Sequence, residues 1–155
     1  MRLGVIGVGQ AGGRIADLLY YHSLWDHHGS IAPFCLAVNT AKADLMGPTT
    51  INKRDKILVG QTEVRGHGVG LRRTVGADAV QHGLHMIMHA ITEKSALQVD
   101  GYLIIAALGG GTGSGGAPII ARVLKQVYSE PVYILGILPS EDEGDLMTRN
   151  ATHSL

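Results

Sequence analysis

The chain has 155 residues and a mass of 16.4 kDa, which is enough for one domain with a buried core. Thirteen basic residues balance thirteen acidic ones, so charge gives no reason to expect nucleic acid or an anionic membrane as the main partner. The single Cys35 cannot form an internal disulfide, and no run approaches the roughly 20 apolar residues of a membrane span. Glycines at positions 4 and 7 interrupt the apolar N-terminus, which argues against a signal peptide. We therefore predict a globular, cytoplasmic protein without a transmembrane segment and without a nucleic-acid partner.

In chain order, short apolar runs that end at loop residues alternate with segments of helical periodicity. The predicted strands are 3–6, 34–38, 56–59, 102–108 and 132–138. Apolar stripes predict three helices, namely one containing Ile15 and Leu18, one starting near Leu71, and one containing Ile119 with Pro118 in its first turn. Alternation of this kind predicts an α/β fold, a three-layer, Rossmann-like parallel sheet with helices on both faces.

Three glycine-bearing loops come after predicted strands. They are GVGQAGG (7–13), RGHGVG (65–70) and GGGTGSGG (109–116). We place all three at the carboxyl edge of the sheet, where open parallel sheets bind ligands. Neither 7–13 nor 109–116 contains Lys or Arg, so a phosphate there would be held by backbone N–H groups, by the hydroxyls of Thr112 and Ser114, and by a divalent metal. The alternative is that the loops are tight turns without a ligand.

The first loop also fits the dinucleotide fingerprint GxGxxG between a strand and a helix. That fingerprint requires an acid at the end of the second strand, and Asn39 stands there instead. An NAD(P)-type oxidoreductase module therefore stays open as the alternative function. A P-loop is excluded because no glycine in the chain is followed by lysine.

Read together, these segments resemble the tubulin/FtsZ superfamily, and most closely its archaeal CetZ branch. The signature phosphate loop of that superfamily is GGGTGSGG, and GQAG (9–12) is similar to the tubulin form of the first loop. The segments AVNTAKADL (37–45), RGHGVG (65–70) and LPSEDEG (138–144) are similar to the second, third and fifth loops. The resemblance extends over residues 1–150.

The resemblance implies a site for GTP or GDP with Mg²⁺. Gly9, Gln10 and Ala11 would contact the phosphates, with Gln10 also at the metal, and Asn39 would line the nucleotide side of the second loop. The third loop, which senses the γ-phosphate, would contribute Gly68, Val69 and Gly70. The α- and β-phosphates would lie on Gly109, Gly110, Gly111, Thr112, Gly113, Ser114 and Gly115. Glu143 would bind the ribose, and Arg14 would lie near the guanine, where relatives often have Asn or Gln.

The resemblance further implies a GTPase of the cytoskeleton that forms GTP-dependent, head-to-tail filaments in cell division or cell-shape control. In that family hydrolysis needs an acidic loop from a neighbouring subunit. We therefore assign no catalytic residue and expect residues 1–155 to be a GTP-binding domain that is incomplete at its C-terminus, without the central helix and second domain. Alone, it should bind guanine nucleotide weakly and hydrolyse it negligibly. The acids Glu141, Asp142 and Asp145 are interpreted as a charged surface loop.

Histidines elsewhere in the chain offer a weaker candidate. One helical stripe contains Asp78, His82, His85, His89 and Glu93, which could bind zinc but more often forms the solvated face of an amphipathic helix. No function is assigned to His22, His27 and His28. Cys35 is interpreted as an inert core thiol.

Overall fold

A computed structural model describes residues 1–25 and 31–155, so His27 and His28 lie outside the described residues. The strands are β1 (Leu3–Val8), β2 (Phe34–Asn39), β3 (Lys56–Leu58), β4 (Gly101–Ala107) and β5 (Val132–Ile137). The helices are α1 (Gly9–Trp25), α2 (Lys42–Met46), α3 (Gln61–Val64), α4 (Arg73–Thr92), α5 (Gly111–Val127) and α6 (Asp145–Thr152). Single 3₁₀ turns occur at Lys53–Asp55, Ser95–Leu97 and Glu141–Glu143.

The five strands form one sheet in the order β3-β2-β1-β4-β5, and every neighbouring pair is parallel. Successive strand residues point to opposite faces, so the sheet has two apolar sides to cover. One cluster, with Ile6 and Ile104, packs beneath α4 and α5, and the other, with Val5 and Ile105, packs beneath α1. The predicted three-layer α/β fold is confirmed.

The central strand β1 is buried along its whole length, and α1 packs very close to it. A side chain at Gly7 would meet the Gly12 carbonyl oxygen at 2.5 Å and the Ala16 Cβ at 2.8 Å. Cys35 on β2 lies in the same layer, and burial raises the pKa of its thiol. This agrees with an inert core cysteine.

The prediction for Pro118 is wrong. Helix α5 begins at Gly111, so Pro118 lies in the helix interior and not in the first turn. A proline has no N–H to give to the carbonyl four residues earlier, here that of Ser114. The Ser154 hydroxyl lies where it can donate instead, sharing its one hydrogen between the Ser114 carbonyl oxygen at 2.9 Å and that of Asn150 at 2.7 Å. The end of α6 is thereby attached to the middle of α5.

Helix α6 was not among the predicted elements, which ended with strand 132–138. It follows the 3₁₀ turn Glu141–Glu143 and packs against α5. No helix within residues 1–25 and 31–155 combines the length and apolar character needed to cross a bilayer.

Candidate functional site

Because all strands are parallel, their carboxyl ends meet at one edge, and a cavity of about 790 Å³ opens there. The starts of α1 and α5, the segment after β2, the loop 65–71 and the segment 137–147 surround it. Among the described residues that line it there is no Lys or Arg. An anion in this cavity would therefore be bound chiefly by backbone N–H groups and hydroxyls.

All the predicted site residues except Arg14, Ser114 and Gly115 line this one cavity. They are Gly9, Gln10, Ala11, Asn39, Gly68, Val69, Gly70, Gly109, Gly110, Gly111, Thr112, Gly113 and Glu143. The structure thus brings together side chains and glycines that are separated by more than a hundred positions in the sequence. Their contacts with a nucleotide stay predictions.

The three exceptions have other surroundings. Ser114 is fully buried, and its hydroxyl donates to the Gly110 carbonyl inside α5. Gly115 faces α4, where a side chain would meet the Ala77 nitrogen at 2.6 Å. Arg14 lies with Tyr21 on a separate groove of about 390 Å³ between α1 and the segment 47–50.

Two helix N-termini meet at the floor of the cavity. Gly9, the first residue of α1, has φ of +76°, and a Cβ there would lie 3.2 Å from the Gly113 nitrogen. Gly110, which precedes α5, has no side chain with which to cap that helix. The first turn of a helix leaves N–H groups without intrahelical partners and carries a partial positive charge. The floor is therefore suited to phosphate oxygens.

A polar network joins the second loop to this floor. The Asn39 side-chain oxygen accepts the N–H groups of Thr40 at 2.7 Å and Ala41 at 3.2 Å, which fixes the turn after β2. The buried Thr40 hydroxyl lies 2.8 Å from that of Thr112 at the start of α5. Asn39 therefore shapes the cavity by holding backbone, in place of the ribose contact that an acid would make in the dinucleotide fingerprint.

Asp44 is a cavity residue that the sequence reasoning missed. Its carboxylate accepts the Gln10 side-chain N–H at 3.0 Å and that of Asn39 at 3.4 Å. This bond brings the Gln10 amide and the Asp44 carboxylate together on the lining of the cavity. Amide and carboxylate oxygens are the ligands that Mg²⁺ prefers, so the donor set fits the predicted metal. The signal was available, since Asp44 is the only acid within AVNTAKADL.

The third loop is held to the second by backbone contacts. The Lys42 N–H donates to the Gly66 carbonyl at 2.9 Å, and the Gly68 N–H donates to the Thr40 carbonyl at 3.2 Å. Gly66, Gly68 and Gly70 have positive φ angles of +80°, +82° and +58°. The loop therefore depends on glycine for its path, as a left-handed backbone is costly for other residues.

The far side of the cavity is formed by the segment before α6. The Glu143 carboxylate accepts the Ser140 N–H at 2.9 Å in a capping box. Glu141, Asp142 and Asp145 are exposed and do not line the cavity, and hydrogen bonding by the Ser140 hydroxyl lowers the pKa of Asp142. The predicted surface position of the three acids is confirmed, but Asp145 is the first residue of α6 and does not belong to a loop.

The histidine stripe lies on the exposed side of α4. His82 Nδ1 is 2.6 Å from Glu63 Oε1, and His85 Nδ1 is 3.1 Å from the His82 carbonyl oxygen. In the part of the chain that the structure describes, no three His, Cys, Asp or Glu side chains are grouped to hold a metal ion.

Comparisons with known proteins agree with this architecture. The family model described as "Tubulin/FtsZ family, GTPase domain" matches residues 2–155. Tubulin-like protein CetZ1 of Haloferax volcanii is 45% identical over 99% of this chain, and the CetZ of Pyrococcus abyssi is 36% identical over 97%. The chain spans about 39% of the length of the first and about 40% of the second.

Solved structures give the same result. The GDP-bound monomer of CetZ1 from Haloferax volcanii superposes with a TM-score of 0.95 at 45% identity, covering 99% of this chain and 46% of that one. The GTPγS-bound protofilament of CetZ2 from the same organism gives 0.92 at 42% identity, over 99% and 45% of the two chains. FtsZ of M. jannaschii gives 0.79 at 28% identity, over 99% and 40%. The chain belongs to the Tubulin/FtsZ family, and the matching part of that family is its GTPase domain.

Proposed function

We propose that this chain binds GTP and GDP in the cavity at the carboxyl edge of the sheet. The observation that carries the proposal is the meeting of two helix N-termini and two glycine-bearing loops around one cavity, which none of the described Lys or Arg residues lines. Backbone N–H groups supply the positive potential that a triphosphate needs. The CetZ1 and CetZ2 structures that resemble this chain hold GDP and GTPγS, which supports a guanine nucleotide.

The proposed positions follow from the cavity. Gly110 to Gly113 would face the α- and β-phosphates, and Gly68 to Gly70 the γ-phosphate. Glu143 would face the ribose from the opposite side. Gln10 and Asp44 would hold Mg²⁺, which neutralises phosphate charge when bound.

We expect this chain to be a poor hydrolase alone. The two acids that line the cavity have other proposed roles, Asp44 at the metal and Glu143 at the ribose, so no lining acid is assigned to orient an attacking water. In a protein as long as the relatives, the missing group would come from the next subunit of a head-to-tail filament, a contact that propagates because it is heterologous. The CetZ2 protofilament supports filament formation, and we include in the proposal a cytoplasmic role in cell division or cell shape.

A thermal-shift comparison tests the ligand. Because a ligand that binds only the folded state stabilises it by mass action, GTP and GDP with Mg²⁺ should raise the melting temperature. NADH and ATP at the same concentration should not. A shift with NADH and none with guanine nucleotide would favour the dinucleotide alternative, for which GVGQAG is the supporting motif.

The metal is tested separately. Asp44→Asn keeps the size of the side chain and removes its charge, so the gain in GTP affinity on adding Mg²⁺ should fall about tenfold, or about 1.4 kcal/mol. Asp145→Asn is the matched control, because Asp145 is exposed and does not line the cavity. Equal Mg²⁺ dependence in the two variants would contradict the assignment. Turnover by the single chain at the rate of a full-length relative would contradict the shared-site mechanism.

A further inference from the structure

Asn150 is a buried polar residue on α6 that belongs to none of the recognised motifs. It is 5% exposed, and its side-chain nitrogen donates to the Leu71 carbonyl at 2.9 Å and to the Gly109 carbonyl at 3.0 Å. An amide nitrogen has two hydrogens, so this one group satisfies both carbonyls. No other side chain type of the same size can donate twice from one atom at this position.

The two carbonyls lie at the ends of the two glycine-bearing loops that form the proposed phosphate end of the cavity. Leu71 directly follows the third loop and is 79 positions from Asn150, and Gly109 is the first residue of the glycine loop and is 41 positions from Asn150. A third bond joins the same two loops directly, from the Gly111 N–H to the Gly70 carbonyl at 3.0 Å. Asn150 thus closes a bridge between the loops from behind the cavity.

The end of the third loop is held by a small set of hydrogen bonds. The Gly70 carbonyl accepts the Gly111 N–H at 3.0 Å, and Leu71, which is 37% exposed, is held through its carbonyl by Asn150. Arg72 donates back to the Val69 carbonyl at 3.2 Å, a contact between near neighbours in sequence. The long-range bond from Asn150 therefore connects the end of this loop to α6.

Helix α6 also belongs to the opposite wall of the cavity. Met147, one turn before Asn150, lines the cavity and lies so close to Gly109 that a Cβ there would be 3.1 Å from the Met147 Cβ. Glu143 precedes the same helix. A displacement of Leu71 would therefore act on α6, and a displacement of α6 would act on both loops.

We propose that Asn150 is a positioning residue that couples the third loop to the glycine loop and to α6, so that the γ-phosphate state of the nucleotide is transmitted to α6. The proposal rests on the proposed function, since it assumes a guanine nucleotide in the cavity. It predicts that Asn150 increases the difference between the affinities of this chain for GTP and for GDP. A residue that only stabilised the fold would leave that discrimination unchanged.

The test is the ratio of dissociation constants for GDP and GTPγS, measured by calorimetry with Mg²⁺ on the 155-residue chain. Asn150→Ala removes both donors, and Asn150→Asp keeps the shape but sets an oxygen against two carbonyls. We expect the ratio to fall at least fivefold in both variants. Asn150→Ser, which retains one donor, should give an intermediate ratio.

Ser154→Ala is the matched control. It removes the hydroxyl that bonds the Ser114 and Asn150 backbone carbonyls and leaves the side-chain bonds from Asn150 to Leu71 and Gly109 in place. It should lower the melting temperature without changing the ratio.

Each other outcome has a defined meaning. A wild-type chain that binds neither nucleotide overturns the proposed function. A wild-type chain that binds both equally, or Asn150 variants whose ratio stays within twofold of wild type, overturn the coupling alone. Failure of all three Asn150 variants to fold, with Ser154→Ala folded, also overturns it, because the residue would then serve stability.

Discussion

In the glycine loop 109–116 no residue has a positive φ, whereas in the loop 65–70 three glycines do. Neighbouring atoms lie close to most glycines of the loop 109–116, whereas Gly70 in the loop 65–70 is not crowded. A side chain at Gly113 would meet the Ala107 carbonyl oxygen at 2.5 Å, and one at Gly116 would meet Val80 at 2.6 Å, while Gly70 has open space around it within the described residues. Glycine in the loop 109–116 permits close approach of neighbouring backbone, and glycine in the loop 65–70 permits a left-handed backbone.

The comparison shows that one residue type serves two physical needs at a single site. The crowded glycines let α5 pack tightly on β4 and α4, which fixes the helix N-terminus in place. Of the left-handed glycines in the third loop, Gly70 is the one beside which a side chain would find open space within the described residues. A rigid floor beside a loop with such space suits discrimination between two nucleotide states.

The largest effect is expected at Gly115. Gly115→Ala would place a methyl group 2.6 Å from the Ala77 nitrogen, and backbone on α4 cannot move aside cheaply. We expect a loss of about 3 kcal/mol in the free energy of unfolding, measured by urea denaturation. A loss below about 1 kcal/mol would mean that α4 and α5 are less tightly packed than the structure has them.

Gly110 separates ligand binding from packing within the same loop. A Cβ there would meet only the Ala107 carbonyl oxygen, at 3.9 Å, so Gly110→Ala should barely change stability. It adds a methyl group to the floor of the cavity, and we expect a roughly tenfold loss of GDP affinity, about 1.4 kcal/mol. Unchanged affinity in calorimetry would show that the phosphates do not lie against Gly110.

Substitutions at Gly70 test whether the third loop needs glycine for its left-handed backbone. The Gly70 φ of +58° costs an alanine about 1 kcal/mol, so Gly70→Ala should be destabilised by that amount in urea. Gly70→Asn should lose less, since Asn tolerates the left-handed region better. Equal stability of the two variants would argue against backbone strain as the cause.

The smallest effect concerns the entry to the third loop. His82, hydrogen-bonded to the Glu63 carboxylate, lowers the pKa of that carboxyl, with a further contribution from the Thr62 hydroxyl. The stabilisation from the His82–Glu63 hydrogen bond is therefore complete above pH 4.5, the ordinary pKa of Glu. It is lost as the pH falls through the lowered pKa of Glu63 in the folded protein.

NMR can follow this loss at the loop. The amide shifts of Gly66 and Gly68 should follow the acid transition, those of Gly113 should not, and Glu63→Gln should abolish the response. A transition of equal size at Gly113 would contradict a response that is confined to the segment after α3.

The sequence was sufficient for the sheet, because buried parallel strands are continuous apolar runs that glycines punctuate. The segments 3–6, 34–38 and 102–108 each became a strand within one or two residues of the predicted bounds. The grouping of the glycine-bearing loops followed from the parallel topology and is borne out by the cavity that they line.

Other features depend on tertiary contacts that a sequence does not display. Helix α6 is short and mostly exposed, so periodicity gives it little signal, although SEDE (140–143) contains the capping box that precedes it. Asn150 gains its partners 41 and 79 positions away. Likewise, no pattern in GGGTGSGG distinguishes Gly115, which faces α4, from Gly110, which faces the cavity.

Pro118 and Ser154 have a consequence for how this chain can change over evolutionary time. Because the hydroxyl has taken over an acceptor that the proline released, loss of Ser154 alone would leave a buried carbonyl without a donor. Replacement of Pro118 by a residue with an N–H restores the helical bond, so the Ser114 carbonyl no longer depends on the Ser154 hydroxyl. Loss of the hydroxyl at position 154 should therefore be better tolerated after Pro118 has been replaced than before.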